Sequence, residues 1–442
     1  MFLLSIGLCW ADPTLFLPNP ADSANVRLNL AQNAKGEVLA STFVAQADQA
    51  GLTYLAQLRE AARQGKRTVY VVDALGLHIP RTLLSYLASE GVEIYLYHPF
   101  DWRNPGSYLK RLHSKLFVVD GEHLVMGDRN DGDEYAGLSK TSYLGRDAYV
   151  RGEAASDAKA HIEELIRSSE VTRFKPLQLS EIERATVKTK LDRAYTRPLA
   201  RRLRKSEAWK SSVIASDSVE FYHDPIGKKG IAPGVDQKII EAIDGAREQI
   251  IFENAYVVLS DSMKQALKRA RAREVPIKVI TNSAKTTNSP LVGAVWEDSK
   301  KFLASIGAEV WELSDQESEK PNGKVKERVK EKFRNIRKAL KGKYEAGSGF
   351  NMLHSKTMLI DGKHSYIMSY NFDPRSENLN METVLYVKGQ GFADKLNAEI
   401  QQDFAQSKYK LVAASGKVLE RGDESGIACF KRKLIKLIES QL

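Results

Sequence analysis

The sequence predicts an α/β protein of two pseudo-symmetric lobes, each a mixed, mostly parallel sheet flanked by helices, with one site where the lobes meet. Three observations predict it. A short polar pattern occurs twice: His113-Ser114-Lys115 runs on to Asp120 and Asn130, and His354-Ser355-Lys356 runs on to Asp361 and Asn371, with the same spacing in both copies. Strand-like and helix-like runs alternate ahead of each copy, as they do in α/β sheets. The chain of 442 residues is long enough for two such units. A repeat that keeps its polar residues while the apolar ones drift points to a two-fold site. The competing reading is two unrelated strands with satisfied polar residues.

Taken in order, 36–45 reads as a strand, and 52–63 as a helix with Leu52, Leu55 and Leu58 at helical spacing. Residues 68–73 form a buried-type strand. Residues 80–89 form a helix opened by Pro80 and closed by Gly91, and 92–97 form the next strand. The first polar motif follows directly. The same order recurs before the second motif: helix 237–246, strand 249–252, helix 260–271, strand 277–282, helix 300–306 stopped by Gly307, and strand 309–312. The boundaries expected are a leader at 1–11, a first lobe at 12–180, a basic linker at 181–214, a second lobe at 215–410 and a basic helical tail at 411–442.

A net charge of +10 and a pI near 9.2 favour an anionic partner: a phospholipid surface, nucleic acid or a phosphorylated substrate. Cys9 and Cys429 give neither a disulfide framework nor a metal cluster, and His78, His161 and His223 show no ligand spacing, so no metal or other cofactor is expected. The opening run to Ala11 reads as the apolar core of a secretory leader, although no Lys or Arg precedes it; a buried first strand is the alternative. Three basic segments stand out. Residues 181–210 hold ten Lys or Arg against four acids. In the insertion at 318–345, Val325, Val329, Phe333, Ile336 and Leu340 fall on one helical face among Lys and Arg, as in a helix lying on an anionic membrane. The tail carries Leu434, Leu437 and Ile438. Each could equally be a solvated or packed helix with a basic outer face.

The repeated motif carries a chemistry. Alternation on a strand puts each His and Lys on one face. Two imidazoles facing one phosphate permit a two-step displacement, in which one ring attacks phosphorus and the other protonates the leaving alcohol. Lys115, Lys356, Asn130, Asn371 and Ser369 would neutralise and orient the phosphate oxygens. A carboxylate behind each ring fixes its tautomer. Glu382 is the candidate behind His354, and Asp147 the candidate behind His113. Asp120 and Asp361 complete the motif and read as structural, holding turns or bracing the lysines. Glu134 and Arg375 are expected to support the site from behind.

These residues resemble the phospholipase D superfamily, whose His-x-Lys-(x)4-Asp motif likewise occurs twice. The resemblance spans roughly residues 30 to 410. Within the superfamily, Arg129-Asn130-Asp131-Gly132-Asp133-Glu134-Tyr135 and Asn371-Phe372-Asp373-Pro374-Arg375-Ser376, with Asn380-Met381-Glu382, are similar to segments of bacterial cardiolipin synthases. The resemblance implies phosphatidyl transfer through a phosphatidyl-histidine, with His113 as nucleophile and His354 as general acid and base. The acceptor would be a phosphatidylglycerol hydroxyl, or water. It also implies a bacterial protein peripheral to the membrane, bound to an anionic phospholipid surface, with export through the N-terminal segment an open expectation. Two positions depart from the pattern. Asp128 stands where a small residue is usual, and a carboxylate there would repel a phosphate unless it paired outward. Met368 stands where Gly is usual. A hydrolase releasing phosphatidic acid and a nuclease of the same superfamily are the alternatives. The nuclease is disfavoured because no basic groove interleaved with aromatics is visible. An inactive lipid-binding scaffold is disfavoured because both His/Lys pairs are intact.

Overall fold

Strand Arg67–Asp73 shows why the chain builds layers: Val69, Tyr70, Val71 and Val72 are all buried, so both faces of the strand are covered. In the computed structural model, which describes residues 11–103, 105–139, 142–227, 232–284, 286–313, 352–405, 409–414 and 416–419, that strand belongs to the first of two nine-stranded sheets. Its order is Val171–Arg173, Val92–Tyr97, Arg67–Asp73, Glu37–Thr42, Leu116–Val119, His123–Gly127, Asp147–Arg151, Asp12–Leu17 and Ile214–Ser216. The second is Ser218–His223, Thr383–Lys388, His364–Met368, Lys356–Ile360, Ile250–Asn254, Ile277–Asn282, Glu309–Leu313, Tyr409–Ala414 and Lys417–Val418. The two-lobed α/β architecture therefore holds. One detail differs: in each sheet only two ladders are parallel and the other six antiparallel, because hairpins follow both motifs.

The lobes share a core. Helices Glu153–Arg167 and Gln390–Ala405 supply Ala155, Ala158, Ile162, Phe392, Leu396 and Ile400 to one apolar cluster that includes strands of both sheets. Phe16 of the first lobe meets Phe392 of the second edge to face at 5.7 Å. Two further large clusters fill the outer faces, one per lobe, and a small one gathers Val258, Val292 and Val295. Non-directional burial of this kind holds the lobes together and leaves polar side chains to define the site.

Several boundaries move, for local reasons. The helix expected from Leu52 starts at Gln49, because the Asp48 carboxylate caps it by accepting from the Gly51 N–H at 2.9 Å. The helix expected at 300–306 begins at Pro290, capped by Ser289. The basic linker is helix Glu181–Thr196 followed by helix Pro198–Lys205. Val187, Leu191 and Ala194 recur at helical spacing and pack into the first lobe's outer core, so the segment belongs to that lobe. Residues 411–414 and 417–418, expected in the helical tail, lie in the last two strands of the second sheet, with Val412 and Ala413 buried. The leader at 1–10, Cys9, Cys429, the basic insertion at 318–345 and the tail from 420 lie outside the described residues.

Candidate active site

Two short ladders cross from lobe to lobe and set the site. Arg111–Leu112 pairs in parallel with Asn380–Met381, and Met352–Leu353 pairs in parallel with Tyr143–Leu144. The next residue in each motif continues the bonding: His113 N–H donates to Met381 O at 3.0 Å, and His354 N–H to Leu144 O at 2.8 Å. The motif is thus not one continuous strand. At Ser114 and Ser355 the chain leaves the cross-lobe ladder and enters its own sheet. The residue before each His is held by the end of a central strand: Leu112 N–H donates to Asp73 at 2.8 Å, and Leu353 N–H to Asn282 at 3.0 Å.

The ladders also decide which carboxylate meets which ring. Glu382, directly after Met381, accepts from His113 Nδ1 at 2.9 Å and 3.0 Å. Asp128 accepts from His354 Nδ1 at 3.1 Å. Both pairings run between lobes, and both correct the expectation from sequence. Glu382 serves His113 and not His354. Asp147 serves neither ring; its carboxylate takes Ser23 Oγ and sits beside Arg27 and Arg129. Asp128 faces no incoming phosphate, because His354 and the Arg146 N–H take its two oxygens. A buried carboxylate left unpaired would cost several kcal/mol, on the order of 3 or more, and this pairing removes that cost. Since a carboxylate only accepts, Nδ1 of each ring carries hydrogen and the Nε2 lone pair is left for chemistry.

Electrostatics favours neutral rings. Burial pushes the His113 imidazole down to about 4, against the opposing pull of Glu382 and with Lys115 adding to the drop. Burial, with Lys356, Lys115 and His113 nearby, holds His354 well below its ordinary value. The ammonium of Lys115 is lowered to about 7 and that of Lys356 to about 8, burial being the main cause in both. Each reaches back to the carbonyl of its own motif histidine, Lys356 Nζ at 2.6 Å. Burial alone would raise Glu382; the His113 ring, Lys115 and Ser369 hold it at about 2. Burial raises Asp128, opposed chiefly by Lys356 and Arg129. Groups of both lobes act on one another throughout, so the two rings and two lysines form one electrostatic unit that an anion would complete.

Comparison with known proteins bears on the fold and on what the chain is similar to. Residues 239–405 match the family model described as "Cardiolipin synthase, PLD-like domain". The chain is 25% identical over 434 residues to cardiolipin synthase C of Escherichia coli K12, covering 91% of this chain and 85% of that one. It is 22% identical over 446 residues to an uncharacterized protein of Helicobacter pylori, covering 95% and 84%. The crystal structure of phosphatidylserine synthase from Haemophilus influenzae Rd KW20 has the same fold, with a TM-score of 0.65, 14% identity and 98% coverage of both chains. The second lobe of this chain is a phospholipase D-like domain, and the chain as a whole is similar to enzymes of that class.

The remaining candidates divide between those near the two rings and those held elsewhere. Asn130 and Asn371 are buried beside it. Asn130 Oδ1 is held by the Val44 N–H at 3.0 Å. Ser369 does not face a substrate; it is fully buried and donates to Glu382 at 2.5 Å. Asp120 and Asp361 do not join the cluster. Each follows its strand at positive φ before a glycine, opening the three-residue connection of a hairpin, and accepts three backbone N–H groups: from Lys35, Gly36 and Glu37, and from Arg247, Glu248 and Gln249. Glu134 takes Gln46 in the neighbouring loop, and Arg375 donates to Leu109 O at the rim. Met368 points into the outer core.

Sequence reasoning missed Asp128 as a partner, Asp73 and Asn282 as supports, and an aromatic setting. Tyr143 stacks on His354 at 5.5 Å and Tyr135 meets it edge-on at 5.1 Å, while Phe43 meets His113 edge-on at 5.3 Å. Asp73 and Asn282 end strands that occupy equivalent places in the two sheets, a signal that was readable once the repeat was aligned.

Proposed function

We propose that the protein is a phosphatidyltransferase of the cardiolipin synthase type, acting on phosphatidylglycerol through a phosphatidyl-histidine. One observation carries the reading: two imidazoles with their Nδ1 atoms fixed by carboxylates from opposite lobes, beside two buried lysines. His113 Nε2 attacks phosphorus, an N–P bond forms, and the P–O bond to the headgroup glycerol breaks. His354 gives its proton to the departing oxygen. The substrate's negative charge raises the His354 pKa on entry, which supplies that proton. Lys115 and Lys356, with Asn130 and Asn371, balance the non-bridging oxygens as they gain charge. His354 then takes the proton of a second phosphatidylglycerol hydroxyl, that oxygen attacks phosphorus, and His113 leaves. The products are cardiolipin and glycerol. Glu382 stabilises the charge that develops on His113.

The similarity of the whole chain to cardiolipin synthase C and the family match of the second lobe support phosphatidyl transfer over other uses of the fold. The same reading puts the protein at the surface of an anionic phospholipid membrane of a bacterium, with lipid as both substrate and partner. The test is a lipid assay with phosphatidylglycerol vesicles. Cardiolipin plus glycerol is expected. Phosphatidic acid without cardiolipin would replace the transferase by a hydrolase, and cleavage of plasmid DNA without lipid turnover would replace it by a nuclease. Substrate labelled in its phosphate should mark the protein covalently, and His113→Ala should abolish the mark. A surviving adduct in that variant would exchange the roles of the two histidines.

A further inference from the structure

The first lobe presents large apolar side chains to solvent near strand Arg111–Leu112, which leads into His113. Trp102 is 76% exposed, Phe100 67% and Leu75 47%. Leu75 is linked through its backbone to Asp73. That buried carboxylate accepts from the Leu75 N–H at 2.8 Å, from Arg111 at 2.8 Å and from the Leu112 N–H at 2.8 Å. The Arg111 guanidinium lies 4.6 Å from the centre of the Tyr108 ring, and Phe100 meets Tyr108 edge-on at 5.6 Å. Leu109, also exposed, is pinned through its carbonyl to Arg375 of the other lobe at 2.7 Å. Leu75 through its backbone and Phe100 through Tyr108 therefore adjoin the ion pair beside the residue before His113, and Trp102 follows Phe100 by two residues.

The charges of this rim are mixed and leave a cationic excess. Arg103 lies over the Trp102 ring at 5.5 Å and Lys110 follows Leu109; Asp101 opposes them and accepts from the Arg103 N–H. Exposed Trp and Phe rings beside basic side chains are what a surface needs to settle at the boundary between phospholipid headgroups and acyl chains. In water the same rings leave apolar area unburied, and a substrate drawn from a bilayer requires the mouth of the site to meet the leaflet.

We infer that this rim docks the active site on an anionic phospholipid leaflet, with Phe100 and Trp102 entering the headgroup boundary and Arg103 and Lys110 meeting lipid phosphates. The inference rests on the phosphatidyltransferase reading for its substrate and names the surface that receives it. It is distinct from the basic helices expected from sequence to bind membranes.

The test uses the full chain with vesicles of phosphatidylglycerol and phosphatidylethanolamine. The double variant Phe100→Ala, Trp102→Ala should lose about 100-fold in vesicle partitioning, given the apolar area of two rings. Its rate on vesicle phosphatidylglycerol should fall in parallel. Its rate on dihexanoyl phosphatidylglycerol dissolved as monomers should stay near that of the unaltered protein. Brominated lipids should quench part of the tryptophan fluorescence of the unaltered protein and lose that part in Trp102→Phe, a change that leaves the fold alone. Unchanged partitioning of the double variant, or quenching that survives in Trp102→Phe, would overturn the docking. Partitioning that depends on the rim without any lipid turnover would uphold the docking and remove the phosphatidyltransferase reading.

Discussion

The two lobes solve one problem with different residues. In the second lobe Glu382 follows the cross-lobe ladder directly and reaches His113, backed by Ser369 and Ser376. In the first lobe the residue at the same point of the ladder, directly after Leu144, is Gly145, which has no side chain to offer. Asp128, which stands at the position of Ser369, takes over and reaches His354. The exchange is sterically complete: a Cβ on Gly145 would lie 2.4 Å from Asp128 Oδ1, so the carboxylate fills the space that the missing side chain leaves. Asp73 and Asn282 repeat the lesson, since one supports its backbone as an anion paired with Arg111 and the other as a neutral amide bonded to Leu353 and Ala255. What the two-fold fixes is a point in space for each group. The chain position that supplies the group is free to change.

The largest effects are expected where this exchange is broken. Glu382→Gln and Asp128→Asn should each lower kcat on the order of 10³-fold, because an amide N–H can face Nδ1 and stabilise the wrong tautomer. Stability should separate them. Glu382→Ala strands the donors of Ser369, Ser376 and Asn380, at a cost of about 3 kcal/mol or more, whereas Asp128→Ala strands the Arg146 N–H and costs about 1–2 kcal/mol. Thermal unfolding reads that difference. Gly145→Ala alone should lose activity through the close contact with Asp128. The sharpest version builds the second lobe's solution into the first: Asp128→Ser with Gly145→Glu should recover at least tenfold, roughly, of the rate lost in Asp128→Ser. No recovery would mean that the two carboxylates are not interchangeable supports.

This comparison also explains what the sequence disclosed and what it hid. The alternation of strands and helices, the two lobes and the two His/Lys pairs are local or periodic features, and they were legible. The carboxylates were assigned to the wrong rings because spacing along the chain carries no information about which lobe a side chain serves. That is decided by the parallel ladders Arg111–Leu112 with Asn380–Met381 and Met352–Leu353 with Tyr143–Leu144, each only two residues long. Strands so short have no periodic signature. Asp128 looked like a defect because its partner, His354, lies 226 residues away. The apolar positions of the 181–196 helix were visible as types and outvoted by the density of charge around them.

A smaller, graded effect is expected from pH. In the free enzyme Lys115 titrates at about 7 and Lys356 at about 8, and both must be protonated to hold a phosphodiester. Therefore kcat/KM should fall as pH rises through 7 to 8. The acid limb belongs to His113, which must be neutral to attack and becomes protonated only as pH falls towards about 4. Lys115→Arg, whose charge does not titrate in this range, should remove the lower of the two alkaline steps and leave the other. An alkaline limb unchanged in that variant would assign it to another group.

The smallest effect is expected where the lobes agree. Asp120 and Asp361 hold the same left-handed turn position, and each carboxylate collects three backbone N–H groups. Those bonds outweigh the opposing effect of burial and lower both pKa values below 3.8. A carboxylate whose pKa is depressed by folding contributes stability above its unfolded value and loses it as pH falls through the folded one. The contribution is therefore intact at neutral pH and disappears below about 3.8. Asn tolerates the same left-handed backbone, so Asp120→Asn and Asp361→Asn isolate the charge from the turn. Each should cost about 1 kcal/mol at pH 7, discounted for the solvent around both turns. The cost should shrink as pH falls below about 3.8, and each variant should leave kcat within about twofold, because neither carboxylate reaches the imidazoles. A large loss of kcat in only one of the two would show that the motif's aspartates are not the equivalent braces that their matching bonds make them.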